Sequence, residues 1–492
     1  MKVILAVDQS TSSTKAMLFN QHGELLGKTA VDHHQYYPQP GWVEHDAEEI
    51  YQNTLRAFGD LLKRNPAVKN NLLCLSLTNQ RETIVIFDRK TGAPLHRAIV
   101  WQCRRGETYC SHLTEMGHSD GVQRLTGLKI DTYFPASKIK WLMDTSPNLR
   151  ARLEDGSALT GTIDTYLIYR LTEGRSFLSD QTNACRTLLY DINTLTWSTT
   201  LCELFQVPRH ALPEVIDSTA QFGETTLGGL LEKPIPICGV MGDSQAALFA
   251  ERCFQPGMAK VTFGTGSSVL LNIGNTVRLS PNGIVTTIGW VYQGQPAYAF
   301  EGITNFTGGT ITWMRDQMKL IESPQETEAL AKSVPNNGGV YLIPAFVGLS
   351  APYWQPNARA AIVGLTAAST KNHIVRAALE SIAYQIRDVL DLMAADAGVA
   401  LHYINGDGGM IHNHFLMQFV ADITQITVRA SSLSELSAFG AVMAGLLGMG
   451  VYDSLEALEG LPHHFADYAP QMESVAVQEY YAGWKAAVQR IL

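Results

Sequence analysis

The chain has 492 residues, of which 46% are hydrophobic and 17% charged, a composition that is ordinary for globular proteins. This length exceeds what one hydrophobic core usually supports, so we expect two domains of similar size. The net charge of −9, with no run of Lys and Arg, argues against nucleic acid or an anionic membrane surface as the main partner.

The start of the chain shows no targeting or membrane signal. Residues 1–8 form a short apolar run that ends in a carboxylate, unlike a secretory signal, and residues 440–451 are too few and too glycine-rich to span a bilayer.

His33-His34 and His463-His464 lack partners at zinc-site spacing, so we expect surface or loop histidines. The cysteines form no Cys-x-x-Cys pair, which favours reduced, buried thiols in a cytoplasmic protein: Cys74, Cys103, Cys110, Cys185, Cys202, Cys238 and Cys253.

Two segments, one opening each half of the chain, have the pattern of a β-hairpin. Residues 2–19 contain two apolar strands around a Ser/Thr-rich stretch, and residues 259–273 contain two strands around the turn 264–268. Gly, Ser and Thr suit tight turns and leave backbone N–H groups exposed. The pair predicts two related α/β domains that face each other across a cleft. We place the domains at residues 1–246 and 247–492.

The remaining elements alternate in the manner of an α/β protein. Residues 72–77 are predicted to form a buried strand that ends at a polar cluster, 78–82. Residues 373–393 have helical periodicity, and residues 403–405 form a strand that leads into a glycine-rich turn and then a helix over 413–424.

Phosphoryl transfer needs groups that hold a polyphosphate, bind Mg²⁺ and accept a proton from the attacking hydroxyl. The turn over residues 10–15 and the turn Gly264-Thr265-Gly266 could present N–H and hydroxyl donors to phosphate oxygens, and Lys15 would add a positive charge. The chain has no G-x-x-x-x-G-K-[ST] motif, so it is not a P-loop nucleotidase. Each turn alone is more often structural, and only the pair favours a phosphate site.

Asp243 and the turn over residues 406–409 each allow two interpretations. Asp243 follows an apolar strand-like run at the domain seam, where a carboxylate could act as a base or anchor a metal. It could equally cap the helix predicted over 246–250. The glycines at 406–409 could let the backbone approach a ligand closely, or could simply form a tight strand-to-helix turn.

Six ordered segments carry a family resemblance: 78–83 (TNQRET), 100–102 (VWQ), 133–142 (YFPASKIKWL), 161–165 (GTIDT), 351–354 (APYW) and 364–384. With them, the chain from Asp8 to about residue 450 resembles the FGGY carbohydrate kinases, and within them the glycerol kinases. The resemblance implies two actin-like (ribonuclease H-like) α/β domains with ATP and substrate in the cleft between them. It implies acceptor binding by the first domain and ATP binding by the second.

The resemblance also implies roles for individual residues in the phosphorylation of a terminal hydroxyl of a small polyol or sugar. Asp243 matches the general base, and Asp8 together with Asp243 matches the Mg²⁺ site. The residues at the acceptor-binding positions of the family are Arg81, Glu82, Trp101, Tyr133, Asp243, Ser244 and Ser268. The residues that match the ATP site are Thr11, Ser12, Lys15, Thr265, Gly266, Gly308, Gly409 and Asn413.

Departures from the glycerol kinase pattern concern the size of the acceptor and regulation. Ser244 stands where glycerol kinases usually have Gln, Ser268 where they have Phe, and Lys15 where they have Arg. The two serines predict a wider and more polar pocket, so a tetritol, tetrulose or pentulose is expected as an alternative to glycerol. A sugar or nucleotide sensor on the same fold is the remaining alternative. Residues 225–230 lack the loop that bacterial glycerol kinases use to bind fructose 1,6-bisphosphate, so we do not expect that feedback control. Family members are commonly dimers or tetramers, and we therefore expect a homo-oligomer.

Overall fold

The fold was analysed in a computed structural model that describes residues 2–431, 433, 435–462 and 465–492. His463-His464 therefore lie outside the described residues. His33 belongs to a loop, as expected, but it is buried, with its ring 4.8 Å from the ring of His45.

The first half of the chain, up to residue 250, combines strands and helices. Its strands are β1 Val3–Gln9, β2 Ser13–Asn20, β3 Leu25–Asp32, β4 Gln35–Tyr36, β5 Glu44–His45, β6 Leu72–Asn79, β7 Ile84–Asp88, β8 Ala98–Ile99, β9 Ala158–Thr162, β10 Leu178–Asp180, β11 Tyr190–Asp191, β12 Thr196–Trp197, β13 Glu214–Ile216, β14 Gln221–Thr225 and β15 Ile235–Gly242. Its helices are α1 Ala47–Arg64, α2 Glu107–Glu115, α3 Ser119–Thr126, α4 Pro135–Thr145, α5 Pro147–Glu154, α6 Ile163–Leu171, α7 Gln181–Ala184, α8 Thr199–Leu204 and α9 Asp243–Ala250.

The second half has longer helices and one large sheet. Its strands are β16 Met258–Phe263, β17 Ser267–Gly274, β18 Val285–Tyr292, β19 Gln295–Thr304, β20 Tyr341–Ile343, β21 Ala361–Val363, β22 Tyr403–Asp407, β23 Thr427–Ser431 and β24 Phe465–Tyr468. Its helices are α10 Gly308–Asp316, α11 Thr327–Lys332, α12 Lys371–Ala397, α13 His414–Thr424, α14 Leu436–Gly448, α15 Leu455–Glu459 and α16 Ser474–Val488.

The two main sheets repeat one topology. The first has the order β14-β15-β6-β1-β2-β3, and the second has the order β18-β19-β17-β16-β22-β23-β24. In each, an opening hairpin (β1–β2, β16–β17) gains a third antiparallel strand on one side. On the other side come two parallel strands and a final antiparallel one. The repeat confirms the predicted pair of related α/β domains, which have the actin-like fold. A separate five-stranded sheet, β4-β5-β8-β7-β9, is inserted in the first half.

Helix α14 of the second half packs on the first half, against α9 and the first sheet. At the crossing of α9 and α14, a Cβ added to Gly440 would lie 1.8 Å from the carbonyl oxygen of Ala246, so only glycine allows this approach. One apolar cluster runs through the contact and joins Ile4 and Phe249 to Phe439 and Val442. The two sheets are thereby held on either side of a cleft.

The predicted elements are present, with longer bounds than the sequence indicated. The first hairpin turn contains only residues 10–12, and Lys15 lies within β2. The predicted helix over 373–393 extends over Lys371–Ala397, and Asn413 caps the predicted helix after the glycine-rich turn. All seven cysteines are free and buried. Among the described residues, no helix has the length and apolar character that crossing a membrane requires.

Candidate active site

Three neighbouring parallel strands end at the same edge of the first sheet. Thr78 pairs with both Asp8 of β1 and Met241 of β15, so the residues that follow these strands are brought side by side. Ligands of open α/β sheets bind at this carboxyl edge. The edge therefore collects Asp8, Arg81 and Asp243, three charged side chains from distant parts of the sequence.

Asp243 is both the first residue of α9 and a group that faces the cleft. Its Oδ1 accepts a hydrogen bond of 2.7 Å from the backbone N–H of Ser244, and the helix N-terminus favours its negative charge. The side chain is 39% exposed, so it is accessible to a ligand. The N-cap position belongs to Gly242, which leaves the Asp243 carboxylate available to the cleft.

Arg81 and Glu82 occupy a tight turn after β6, in which the N–H of Thr83 donates to the carbonyl of Arg81. Glu82 has φ of 61°, a left-handed conformation that costs a residue other than glycine about 1–2 kcal/mol. Such strain persists where the surroundings hold the residue in place, and functional sites are the usual location. Arg81 is held by Glu301, whose Oε1 lies 2.8 Å from Nη2, and its Nε lies 3.3 Å from Oδ1 of Asp243.

Trp101 and Tyr133 form an aromatic wall, with ring centroids 5.5 Å apart. The indole Nε1 of Trp101 donates to the hydroxyl of Thr11 at 3.1 Å. Behind the wall, the buried Lys138 donates to the carbonyls of both aromatic residues at 3.0 Å, which fixes their backbones relative to each other. Burial lowers the pKa of Lys138 to about 7.

These groups surround one cavity of about 270 Å³, which we call the acceptor cavity. All seven residues predicted to grip the acceptor line it. Thr11, predicted as a phosphate-turn residue, and Gly266 also line it. Further lining residues that the sequence did not single out for the site are Gln80, Ser267, Glu301 and Ile303.

A second cavity of about 560 Å³ adjoins the acceptor cavity, and we call it the phosphate-side cavity. Asp243, Ser244 and Ser268 line both cavities, so they form the junction. Asp8, Lys15 and Gly409, three predicted residues, line the phosphate-side cavity only, as do Lys260, Asp407 and Glu435, which the sequence did not assign to the site.

Lys15 is already paired with carboxylates on the floor of the phosphate-side cavity. Its Nζ lies 2.8 Å from Oε2 of Glu435 and 3.7 Å from Oδ2 of Asp8. Burial disfavours the charge of Lys15, but Glu435 and Asp8 raise its pKa above the usual value. Burial, together with repulsion from Asp243 and Glu435, raises the pKa of Asp8 to about 6, and Lys15 only partly offsets this. The cavity is thus lined by two lysines, Lys15 and Lys260, and by a larger number of carboxylates: Asp8, Asp243, Asp407 and Glu435.

This donor set suits Mg²⁺ bound with a polyphosphate. Mg²⁺ is usually held by one or two carboxylates plus waters and substrate phosphates, and does not need a complete protein cage. Asp8 and Asp243 line the same cavity, and their mutual repulsion is the kind that a divalent cation relieves. Among the described residues, no group of three or more His, Cys, Asp or Glu could hold a metal by itself.

The second turn is built on close backbone contacts. The N–H of Gly308 donates to the carbonyl of Gly264, and the N–H of Gly309 donates to that of Thr265, so the turn rests on the start of α10. Nearby, Gly408 has φ of 95°, and a Cβ there would lie 2.6 Å from the carbonyl oxygen of Phe263. Backbone geometry therefore requires glycine at position 408, whether or not the turn binds a ligand.

Four predicted ATP residues lie outside the two cavities. They are Ser12, Thr265, Gly308 and Asn413. Asn413 caps α13 through Leu416 and donates to Thr327, which accounts for its side chain without a ligand. Of the residues that the sequence did not assign, Glu301 had a detectable signal, because it is the single charged residue of the mostly buried strand β19.

Comparison with known proteins agrees with this geometry. The N-terminal domain of the FGGY family of carbohydrate kinases matches residues 3–250, and the C-terminal domain of that family matches residues 259–449. The chain therefore belongs to the FGGY family of carbohydrate kinases, and it is an ATP-dependent polyol or carbohydrate kinase of the glycerol kinase type.

The curated relatives match along the full length. The chain is 44% identical to glycerol kinase 1 of Thermotoga maritima over 489 residues, 99% of each chain. It is also 44% identical to a glycerol kinase of Desulfitobacterium hafniense over 491 residues, 100% of this chain and 99% of the relative.

Solved structures give the same family and fold. The crystal structure of Plasmodium falciparum glycerol kinase with ADP superposes with a TM-score of 0.95 at 36% identity, covering 100% of this chain and 98% of that one. A xylulose kinase of Lactobacillus acidophilus reaches a TM-score of 0.87 at 20% identity, with 99% of each chain covered, which shows the shared fold alone.

Proposed function

We propose that this kinase phosphorylates a terminal hydroxyl of a polyol or ketose with about three to five carbons, and that Asp243 is the general base. The observation that supports this most directly is the acceptor cavity itself. It combines charged groups for hydroxyls (Arg81, Glu82) with the flat aromatic face of Trp101 for a carbon chain, and Asp243 stands where it meets the phosphate-side cavity.

In this mechanism Asp243 accepts the proton of the acceptor hydroxyl as the oxygen attacks the γ-phosphate of ATP. Arg81, whose Nε lies 3.3 Å from Oδ1 of Asp243, keeps the carboxylate oriented. Lys15 would contact phosphate oxygens from β2. Mg²⁺, held by Asp8 and Asp243, would neutralise charge on the phosphates.

The remaining predicted residues have nucleotide roles in the same proposal. Thr11 and Ser12 would bind phosphate from the first turn, and Thr265 and Gly266 from the second. Gly308, Gly409 and Asn413 would lie around the ribose and adenine. Residues 1–246 would then supply most of the acceptor site, and residues 247–492 most of the ATP site.

The length of the acceptor depends on Ser244 and Ser268. The Oγ atom of Ser268 is buried and has no hydrogen-bond partner within the described residues, although it lines the acceptor cavity. A buried hydroxyl without a partner costs free energy, which an additional substrate hydroxyl would recover. The unpaired hydroxyl and the two small side chains favour a tetritol, tetrulose or pentulose over glycerol, the substrate named for the relatives.

A coupled assay of ADP release with glycerol, erythritol, erythrulose, ribulose and xylulose tests the proposal. We expect turnover with at least one of them and a higher kcat/KM for a four- or five-carbon acceptor. A preference for glycerol above about tenfold, equal to about 1.4 kcal/mol of transition-state discrimination, would favour a strict glycerol kinase instead. No turnover by folded protein with any acceptor would contradict the proposal and favour the sensor alternative.

We expect a homo-oligomer, dimer or tetramer, by analogy with the family. The seven free, buried thiols fit a reducing compartment, so we propose a cytoplasmic location.

A further inference from the structure

Four charged side chains form a closed ring beneath the acceptor cavity. Arg81 Nη2 lies 2.8 Å from Glu301 Oε1, and Arg186 Nη1 lies 2.5 Å from Glu301 Oε2. On the other side, Arg186 Nε lies 2.6 Å and Arg81 Nε 3.8 Å from Oε1 of Glu82. Each guanidinium therefore contacts both carboxylates, and each carboxylate contacts both guanidinium groups.

The ring is buried and its charges balance. The four side chains are between 2% and 6% exposed, and two positive charges face two negative ones. Burial opposes the ionised form of Glu301, but Arg186 and Arg81 more than offset this and lower its pKa to about 2. Taking four charges out of water is costly, and such groups often contribute little net stability, so a purely stabilising role is a weak explanation.

The members differ in what else they can touch. Arg81, Glu82 and Glu301 line the acceptor cavity, but both oxygens of Glu301 are occupied by the two arginines. Arg186 lies outside the cavity lining. Glu301 comes from β19 of the second half, whereas the other three belong to the first half. The second half thereby contributes one of the groups that orient Arg81, alongside Asp243 and Gln245 of the first half.

We propose that Glu301 and Arg186 are positioning residues, which hold Arg81 and Glu82 in the orientation that binds the acceptor hydroxyls. Glu82 has a strained, left-handed backbone, and its carboxylate is held there by Arg186 and Arg81. The inference deepens the proposed function and rests on it, since it assumes that Arg81 and Glu82 bind the acceptor. Under this proposal, residues from both halves of the chain build the acceptor site.

The test compares Glu301→Gln and Arg186→Lys with the wild type, using the best acceptor found in the panel. Misplacing binding groups by about 1 Å can cost on the order of a hundredfold. We therefore expect the KM of the acceptor to rise by about tenfold or more, while the KM of ATP changes less than about twofold. Glu301→Asp, which keeps the charge but shortens the side chain, should give an intermediate KM.

Glu44→Gln provides the matched control. Glu44 is a buried carboxylate, 2.7 Å from the buried guanidinium of Arg105, and neither residue lines the acceptor cavity. This variant should lose thermal stability without a change in the KM of the acceptor. If Glu301→Gln does not fold, Arg186→Lys and Glu301→Asp decide the question.

Two outcomes would overturn the inference. One is an unchanged acceptor KM in Glu301→Gln and Arg186→Lys with only a lower Tm, which would make the ring structural. The other is an equal rise in the KM of ATP and of the acceptor, which would mean general damage to the cleft. Failure of the proposed function would be visible separately, as absent turnover in the wild type.

Discussion

The Nε atom of Arg81 lies 3.3 Å from Oδ1 of Asp243. The carboxylate that we propose as the base thus contacts the guanidinium that we propose to hold the acceptor. A substrate hydroxyl that lies beside this contact, within reach of both groups, would be bound by Arg81 and deprotonated by Asp243. Substitution of Arg81 is therefore expected to weaken mainly acceptor binding, and substitution of Asp243 to slow mainly proton transfer.

Asp243→Asn should abolish most turnover while leaving the fold intact. The amide keeps the size of the side chain but cannot accept the hydroxyl proton, and a positioned general base contributes roughly 10²–10⁴-fold to rate. Steady-state ADP release measures the loss, and a thermal-shift assay with acceptor checks that binding survives. A kcat within about threefold of the wild type would show that Asp243 is not the base.

Asp8→Asn should make the free protein more stable at neutral pH and less active. The pKa of Asp8 is raised to about 6 from the ordinary 3.8, so ionised Asp8 opposes folding. As the pH rises, Asp8 ionises in the unfolded chain near pH 4 and in the folded protein only near pH 6. The free energy of unfolding therefore falls between pH 4 and 6, and above pH 6 the loss is at most about 3 kcal/mol.

Thermal denaturation of both proteins across this pH range checks the prediction. The higher Tm of Asp8→Asn relative to the wild type should shrink as the pH falls from 6 towards 4, because the wild-type carboxyl becomes protonated and thus uncharged, like the amide. A stability difference that does not depend on pH would contradict the raised pKa of Asp8.

Ser268→Phe should shift the acceptor preference towards glycerol. The larger side chain removes space at the junction of the two cavities, so kcat/KM for four- and five-carbon acceptors should fall by about tenfold or more, a loss near 1.4 kcal/mol. Glycerol should be affected much less. Ser268→Ala separates space from hydrogen bonding, because it keeps the volume and removes the hydroxyl. Equal losses for all acceptors in Ser268→Phe would argue against a pocket enlarged at this position.

Lys15→Met should weaken ATP binding selectively. Loss of a charged hydrogen bond to phosphate costs about 1.5–3 kcal/mol, so the KM of ATP should rise about tenfold or more, with little effect on the KM of the acceptor. Lys15→Arg is the conservative control, since it keeps the charge and adds a forked donor. If Lys15 serves only its ion pair with Glu435, the KM of ATP will stay unchanged in both variants.

The two-domain plan and a few of its elements could be predicted from local patterns. Apolar runs interrupted by Gly, Ser and Thr identified both opening hairpins, and the run before Asp243 identified the strand that carries it to the cleft. These signals are local because hairpins and strands depend on side-chain alternation and turn chemistry within about ten residues. The roles of the predicted site residues came from the resemblance to a family, and they remain predictions.

The sequence by itself determined that two related α/β units exist, each with an opening hairpin, and it indicated which turns could hold phosphate. Only the tertiary structure decided which side chains meet. Arg81 and Glu301 are 220 residues apart, and Lys15 and Glu435 are 420 residues apart, yet each pair is in contact. The physical reason is that these ion pairs form where separate sheets and helices pack together. Local periodicity contains no information about that packing, so the ring beneath the acceptor cavity could not be inferred from the sequence alone.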